Sequence, residues 1–325
     1  MGVLTPEAPA GETAPTDDCM AVIARDGLRL PVGAFPAAGE GPVVLICHGL
    51  ASHMGWYRPL ALELQRRGCS VYTPDRRGTG RAGGSPGHMR SWRLVVDDLQ
   101  RVADECARRH PGRPLHLLGI SLGAVFAAAA LLERPERFAS LLASAPGFAS
   151  RVKLPLRRRV RLLKRSWLKP ERRYDLPFGM STLTDRKDWQ AALAGDPLRT
   201  RRVTARFLVE MFRMQQTIGR RIGSLKRPLL VALAGSDKLI DNEAVLRLLT
   251  RASRKAAMRV EIFEGASHIL PACRPHQAFH DRLQRWFEED HLTVASGPWG
   301  LQVVRIQSEP GIALPPPPVL FAARS

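Results

Sequence analysis

The 325-residue sequence has no apolar run approaching the roughly 18 residues that a membrane-spanning helix needs. Its first twenty residues, MGVLTPEAPAGETAPTDDCM, contain an acidic stretch and no basic-then-apolar order, so no secretory signal is readable. Pro6 stands where a myristoylation signal requires Ser or Thr. Cysteine is scarce: Cys19, Cys47, Cys69, Cys106 and Cys273 are odd in number, widely spaced and never C-x-x-C. This pattern excludes a disulfide framework and a zinc site, and fits free thiols in a reducing cytoplasm. Aromatic residues make up only 6% of the chain, giving few stacking platforms, and no nucleic-acid recognition motif is present. Lysine is scarce too, at seven of the 49 basic residues.

What remains is a globular composition, 45% hydrophobic and 24% charged, with a strong basic excess. Forty-nine Lys and Arg against 30 acidic residues give a formal net charge of +19. Such a charge first points to an anionic partner. Its distribution narrows the question, because residues 151–227 hold 22 Lys and Arg against six Asp and Glu. That segment carries +16, leaving +3 for the other 248 residues.

Strand and helix patterns alternate through most of the chain. Residues 21–25 and 28–35 read as a hairpin around Asp26-Gly27. The short apolar runs 43–47, 69–73, 115–119, 138–145, 229–234 and 259–263 read as strands. Helical spacing marks 56–67, 92–109, 122–132, 242–253 and 273–289. This order predicts an α/β fold with a mostly parallel sheet and helices on both faces. From 148 to 227 the pattern is helical with no convincing strand, which predicts an inserted cap. The expected organisation is a disordered segment 1–19, a core of 20–147 and 228–291, a basic helical cap 148–227, and a tail 292–325. The tail has strand character at 302–306, a proline run at 315–318 and no assignable role.

The sharpest local pattern is Gly119-Ile120-Ser121-Leu122-Gly123, or G-x-S-x-G, entered by an apolar strand and left by a small-residue helix. In that context Ser121 is a candidate nucleophile, lifted above the sheet with a helix N-terminus aimed at developing charge. A serine hydroxyl needs a base, and the base needs an orienting acid, in the chain order Ser, acid, His. His268 follows the last core strand directly and is the candidate base. Asp237 is the first carboxylate past strand 229–234; Asp241 is the rival acid, better suited to capping the helix near Asn242. His276 and His280 are four apart within a helix, but no companion ligand supports a metal site there. The candidate oxyanion-hole donors are the backbone N–H groups of Leu122 and of Leu50, in the loop His48-Gly49-Leu50. His48, beside a tight Gly turn, suits a structural hydrogen bond better than a base role.

With these residues the chain resembles the α/β-hydrolases, and within them the monoglyceride lipase, lysophospholipase and serine-aminopeptidase-like branch. The resemblance spans about residues 20–290. It is carried by Asp26-Gly27, His48-Gly49-Leu50 with Ser52-His53, Asp75-Arg76-Arg77-Gly78-Thr79-Gly80, Gly119–Gly123, Asp237 and His268. It departs at Ala82, where the pattern D-x-R-G-x-G-x-S ends in Ser. The resemblance implies a Ser121–Asp237–His268 triad, an acyl-enzyme intermediate, no cofactor, and a cap over an acyl pocket. The implied activity is hydrolysis of carboxylic esters, with lipid-like monoesters of the monoacylglycerol or lysophospholipid type as substrates. An acyltransferase, thioesterase or peptidase could use the same triad.

Within the cap, Leu156, Val160, Leu163 and Trp167 fall on one helix face, surrounded by Arg157, Arg158, Arg159, Arg161, Lys164 and Arg165. Two readings stay open. The face is either interfacial, meeting an anionic membrane from the cytoplasmic side, or packed on the core with its arginines solvated. Phe207, Leu208, Met211 and Met214 form a second stripe, suited to core packing or to an acyl pocket. Nothing in the sequence indicates an oligomeric state.

Overall fold

The computed structural model describes residues 19–152, 155–253, 257–272, 276–292 and 301–307. Most of the expected N-terminal segment, Cys273 and the proline run 315–318 lie outside these residues. Nine strands form one sheet in the order β1-β2-β4-β3-β5-β6-β9-β10-β11. These are β1 (Cys19–Ile23), β2 (Arg29–Phe35), β3 (Val43–Cys47), β4 (Ser70–Pro74), β5 (Leu115–Ile120), β6 (Ser140–Ser144), β9 (Leu229–Ala234), β10 (Met258–Phe263) and β11 (Leu301–Ile306). β1 and β2 form the expected hairpin, and β2 joins β4 antiparallel. The other pairings in this sheet are all parallel. Residue 19, expected to belong to the N-terminal segment, opens β1 because Cys19 pairs with Gly33.

The central parallel strands β3, β5, β6 and β9 are buried along their whole length, which is why they read as largely apolar runs, interrupted only by His116 in β5 and by Ser140 and Ser144 at the ends of β6. One apolar core lies on the face covered by α2 (Trp92–Arg109), α3 (Leu122–Glu133), α7 (Ala205–Arg221) and α8 (Asn242–Ala252). The other lies under α1 (Arg58–Arg66) and α9 (His276–Arg285). α3 is apolar on all sides and buried from Leu122 to Leu131, since it packs between the sheet, α2 and α7. A π-helical turn, Trp286–Asp290, follows α9. β11 then extends the sheet edge beside β10, so part of the 292–325 segment is built into the core sheet.

The insertion holds α4 (Leu156–Leu168), β7 (Arg173–Asp175), α5 (Met180–Leu183), α6 (Lys187–Gly195), β8 (Arg202–Thr204) and α7. The paired strands β7 and β8 correct the expectation of a wholly helical cap. Three residues each, Arg-Tyr-Asp and Arg-Val-Thr, are too few to show an alternating pattern. The stripe on α7 resolves as core packing: Phe207 and Met214 are fully buried, and Leu208 and Met211 lie against the same core. α4 differs. Among its residues only Ser166 is buried, and Leu156, Val160, Leu163 and Trp167 are 76%, 44%, 45% and 74% exposed. Its apolar face therefore does not pack on the core of this chain.

The strand order reverses direction between β3 and β5. At such a switch the loops leaving neighbouring strands diverge and open a crevice at the C-terminal edge of the sheet. Cys47 pairs with Gly119, so the loop after β3 and the turn after β5 leave the sheet side by side.

Candidate active site

Ser121 occupies the turn between β5 and α3 with φ 55° and ψ −119°, a strained conformation for a residue with a Cβ. The turn is pinned by its own backbone: Ser121 N–H donates to Ser144 O at 2.9 Å, and Ser121 O accepts from Gly147 N at 2.9 Å. The flanking glycines are required by space. A Cβ on Gly119 would run into the Ala124 backbone, and one on Gly123 into the carbonyls of Cys47 and His48. Ser121 is half-buried at the N-terminus of α3.

His268 lies in the loop after β10 and is buried. Its Nδ1 meets Asp237 Oδ2 at 2.8 Å, the carboxylate accepting the ring N–H. The other oxygen, Asp237 Oδ1, accepts from Leu239 N at 2.8 Å and Ile240 N at 3.0 Å, which fixes the carboxylate. Ser236 N–H donates to Ala266 O, tying the acid loop to the histidine loop. Asp241 stands apart from this pair and caps α8, accepting from Ala244 N at 3.0 Å. The cap closes on the same loop, since Ile269 N–H donates to Leu183 O and Ser267 Oγ–H donates to Asp185 Oδ1. Ser121 and the His268–Asp237 pair thus occupy the same edge of the sheet, beyond strands β5, β9 and β10.

The loop after β3 approaches the nucleophile from the other side: a Cβ on Gly49 would meet Ser121 Cβ at 3.4 Å. His48 serves this loop. Its Nδ1–H donates to Gly49 O at 2.9 Å, and its Nε2 accepts from Arg76 N at 3.1 Å. Burial, helped by the Arg76 charge, pulls the imidazole well below the usual histidine range, so it is neutral. Arg76 went unremarked in the sequence beyond its place in the Asp75–Gly80 motif. Its guanidinium reaches the carbonyls of His48 and Gly49 at 3.3 Å and lies 5.3 Å from the Phe126 ring centroid. Burial lowers it to about 10, which leaves it cationic at neutral pH. Asp75 accepts from Met54 N and Arg81 N, and burial raises its carboxyl.

The profile of the serine aminopeptidase S33 family matches residues 40–272. The chain belongs to this family. Human monoglyceride lipase is 24% identical over 265 residues, covering 80% of this chain and 87% of that protein. Phospholipase YtpA of Bacillus subtilis is 27% identical over 231 residues, covering 70% of this chain and 88% of its own. The crystal structure of Paleococcus ferrophilus monoacylglycerol lipase superposes with a TM-score of 0.72 at 23% identity. It covers 79% of this chain and 98% of that one, so the S33 chain has the α/β-hydrolase fold.

A second His–Asp pair in this S33 chain joins core to cap. His53 Nε2–H donates to Asp196 Oδ2 at 2.9 Å, Trp56 Nε1–H donates to the same oxygen at 2.6 Å, and both His53 and Asp196 are buried. Hydrogen bonds from His53 and Trp56 outweigh burial and hold the Asp196 carboxyl below its usual range. His53 Nδ1 accepts from Gly55 N, which fixes the tautomer. The Ser52-His53 signal was visible in the sequence; its partner, 143 positions away, had none. Among the described residues no group of three His, Cys, Asp or Glu side chains could hold a metal ion. No helix there is long and apolar enough to cross a membrane.

Proposed function

We propose that this protein is a serine hydrolase of carboxylic esters, with Ser121 as nucleophile, His268 as base and Asp237 as orienting acid. The observation that carries the reading is the strained Ser121 on the sheet edge that also holds the buried His268–Asp237 pair. Ser121 Oγ attacks the ester carbonyl carbon while His268 Nε2 takes its proton. The backbone N–H groups of Leu50 and Leu122 hold the resulting oxyanion. The C–O bond to the alcohol then breaks, and the imidazolium gives its proton to the departing oxygen. Water, deprotonated by His268, attacks the acyl-enzyme; the acid leaves and Ser121 recovers its proton. Asp237 orients the ring and steadies the imidazolium.

Lipid-like monoesters are the proposed substrates, a class supported by the names of the human and Paleococcus relatives, while the Bacillus name, a phospholipase, supports lipid esters more broadly. We further infer that the cap meets an anionic membrane through α4. The support is the exposed apolar face of Leu156, Val160, Leu163 and Trp167 among six basic and no acidic residues. Phe212, exposed beside this helix under Arg159, widens the apolar patch.

Ser121→Ala is expected to abolish turnover of a short p-nitrophenyl ester with an unchanged circular dichroism spectrum. Retained turnover overturns the assignment. A fluorophosphonate should label Ser121 in the wild type, and a panel varying acyl length, head group and acceptor would separate hydrolase from transferase. For the cap, co-sedimentation with phosphatidylglycerol vesicles should be strong at low salt and weaker at high salt. No binding at low salt removes the membrane reading.

A further inference from the structure

We propose that Arg76 is a positioning residue of the oxyanion hole, its guanidinium fixing the Gly49–Leu50 peptide so that the Leu50 N–H faces the reacting carbonyl oxygen. This rests on the serine-hydrolase reading above.

The Gly49 carbonyl receives three donors: His48 Nδ1 at 2.9 Å and Arg76 Nη1 and Nη2 at 3.3 Å each. That carbonyl and the Leu50 N–H belong to one planar trans peptide, so they point in opposite directions. Holding the oxygen on Arg76 therefore aims the N–H away from Arg76. The restraint has something to prevent. Gly49 carries no side chain to resist rotation of this peptide. A flipped peptide would present an acceptor oxygen where the oxyanion needs a donor.

The character of the Arg76 site argues for a role beyond packing. Arg76 is only 8% exposed, yet among the described residues its guanidinium hydrogen-bonds only to backbone carbonyls, and its Nε has no partner. A buried cation with no carboxylate in hydrogen-bond contact is costly to keep, even with the Asp75 charge nearby. Here it is anchored to two parts of the site at once. One is the loop through Gly49 and His48; the other is α3, the helix that starts at the nucleophile, through the Phe126 ring. A charge on the carbonyl end also polarises the peptide and strengthens its N–H as a donor.

Arg76→Met and Arg76→Lys test this. Each variant is compared with wild type for hydrolysis of a short p-nitrophenyl ester. Inhibition by a trifluoromethyl ketone, which forms an oxyanion on the serine, is compared with that by the matching methyl ketone, which mimics bound substrate. Removing a single oxyanion donor outright costs about 100- to 1000-fold in kcat. Loosening one should cost less, and we expect kcat of Arg76→Met to fall about 10- to 100-fold with KM within about twofold. The trifluoromethyl ketone should weaken in proportion while the methyl ketone is unchanged, with Arg76→Lys in between. Wild-type kcat in Arg76→Met, or equal weakening of both ketones, overturns the proposal. Should Arg76→Met not fold, Arg76→Lys decides: wild-type kcat and ketone discrimination overturn the proposal, and a loss of both supports it. A wild-type protein that neither labels with fluorophosphonate nor binds the trifluoromethyl ketone overturns the serine-hydrolase reading itself, and this proposal with it.

Discussion

α2 and α4 are both amphipathic helices with an apolar stripe repeating every three or four residues, and the fold treats them differently. In α2 the stripe Trp92, Val95, Leu99, Val102 and Cys106 is buried against the sheet and α3. In α4 the stripe Leu156, Val160, Leu163 and Trp167 stays exposed. Their charges differ in the same sense. α2 has four basic and four acidic residues, and three of its four arginines pair within the helix, Arg101 with Asp97 and Arg108 and Arg109 with Glu105. α4 has six basic residues and no acid. Amphipathicity reports that a helix has an apolar side; it does not report what covers that side. Charge balance is the better guide here, because a helix that satisfies its own charges asks nothing of its surroundings.

The largest expected effect comes from truncating the covered stripe. Trp92→Ala in α2 should cost about 3–5 kcal/mol of stability, from lost burial and the cavity left behind. Urea unfolding monitored by far-ultraviolet circular dichroism measures it, and a cost below about 1 kcal/mol would contradict the packing described for α2. Next is an acid sensitivity confined to the core. His116 on β5 is fully buried, bonds Ser140 Oγ at 2.8 Å and meets the His291 ring edge-on, with Phe287 alongside. Burial, reinforced by His291, lowers it from 6.5 to about 3. The unfolded chain therefore holds a proton that the folded chain refuses between those values. Stability is full above pH 6.5 and lost as pH falls toward 3, by about 1.4 kcal/mol per pH unit for this one group. His116→Asn should flatten that slope between pH 6 and 4, although buried His48 leaves part of it in place. An unchanged slope would mean that His116 does not stay neutral in the folded state. Substitutions in α4, which contains no histidine or carboxylate, should leave that slope unchanged.

The contrast between the two helices also marks where sequence reading stops. Central strands such as Val43–Cys47 and Leu229–Ala234 could be placed from composition, because parallel strands covered on both faces are apolar at nearly every position. The Ser121 turn could be placed because only glycines fit on both sides of it. Asp237 and His268 could be nominated by their positions just past strand ends. Which carboxylate reaches the histidine depends on loop geometry, which spacing does not encode. Asp196 and Arg76 were beyond reach for a related reason. Each acts through a partner distant in sequence, His53 or the Gly49 carbonyl, and neither partner leaves a periodic trace. The strands β7 and β8 escaped because three residues cannot display a period. The α4 face escaped because the pattern of a covered stripe and that of an uncovered one are the same.

On anionic vesicles the comparison should reappear as a difference between single arginines. Arg161→Gln in α4 should lower partitioning by about 1 kcal/mol, roughly fivefold, at low ionic strength. The effect should shrink as salt screens the surface. Arg108→Gln in α2, whose charge is already matched by Glu105, should leave partitioning unchanged. Equal losses from both would indicate attraction by net charge alone, with no special part for the α4 face.

The smallest expected effect is the most discriminating, because it repeats the first substitution on the other helix. Trp167→Ala removes a side chain as large as that of Trp92, but from a position that is 74% exposed. With little surface buried within the chain there is little transfer energy to lose and no cavity to leave. The unfolding free energy in the absence of lipid should stay within about 0.5 kcal/mol of wild type. A cost of several kcal/mol would mean that something within the protein covers Trp167 in solution. The exposed apolar face, and the membrane reading built on it, would then fall together, leaving α4 an ordinary packed helix like α2.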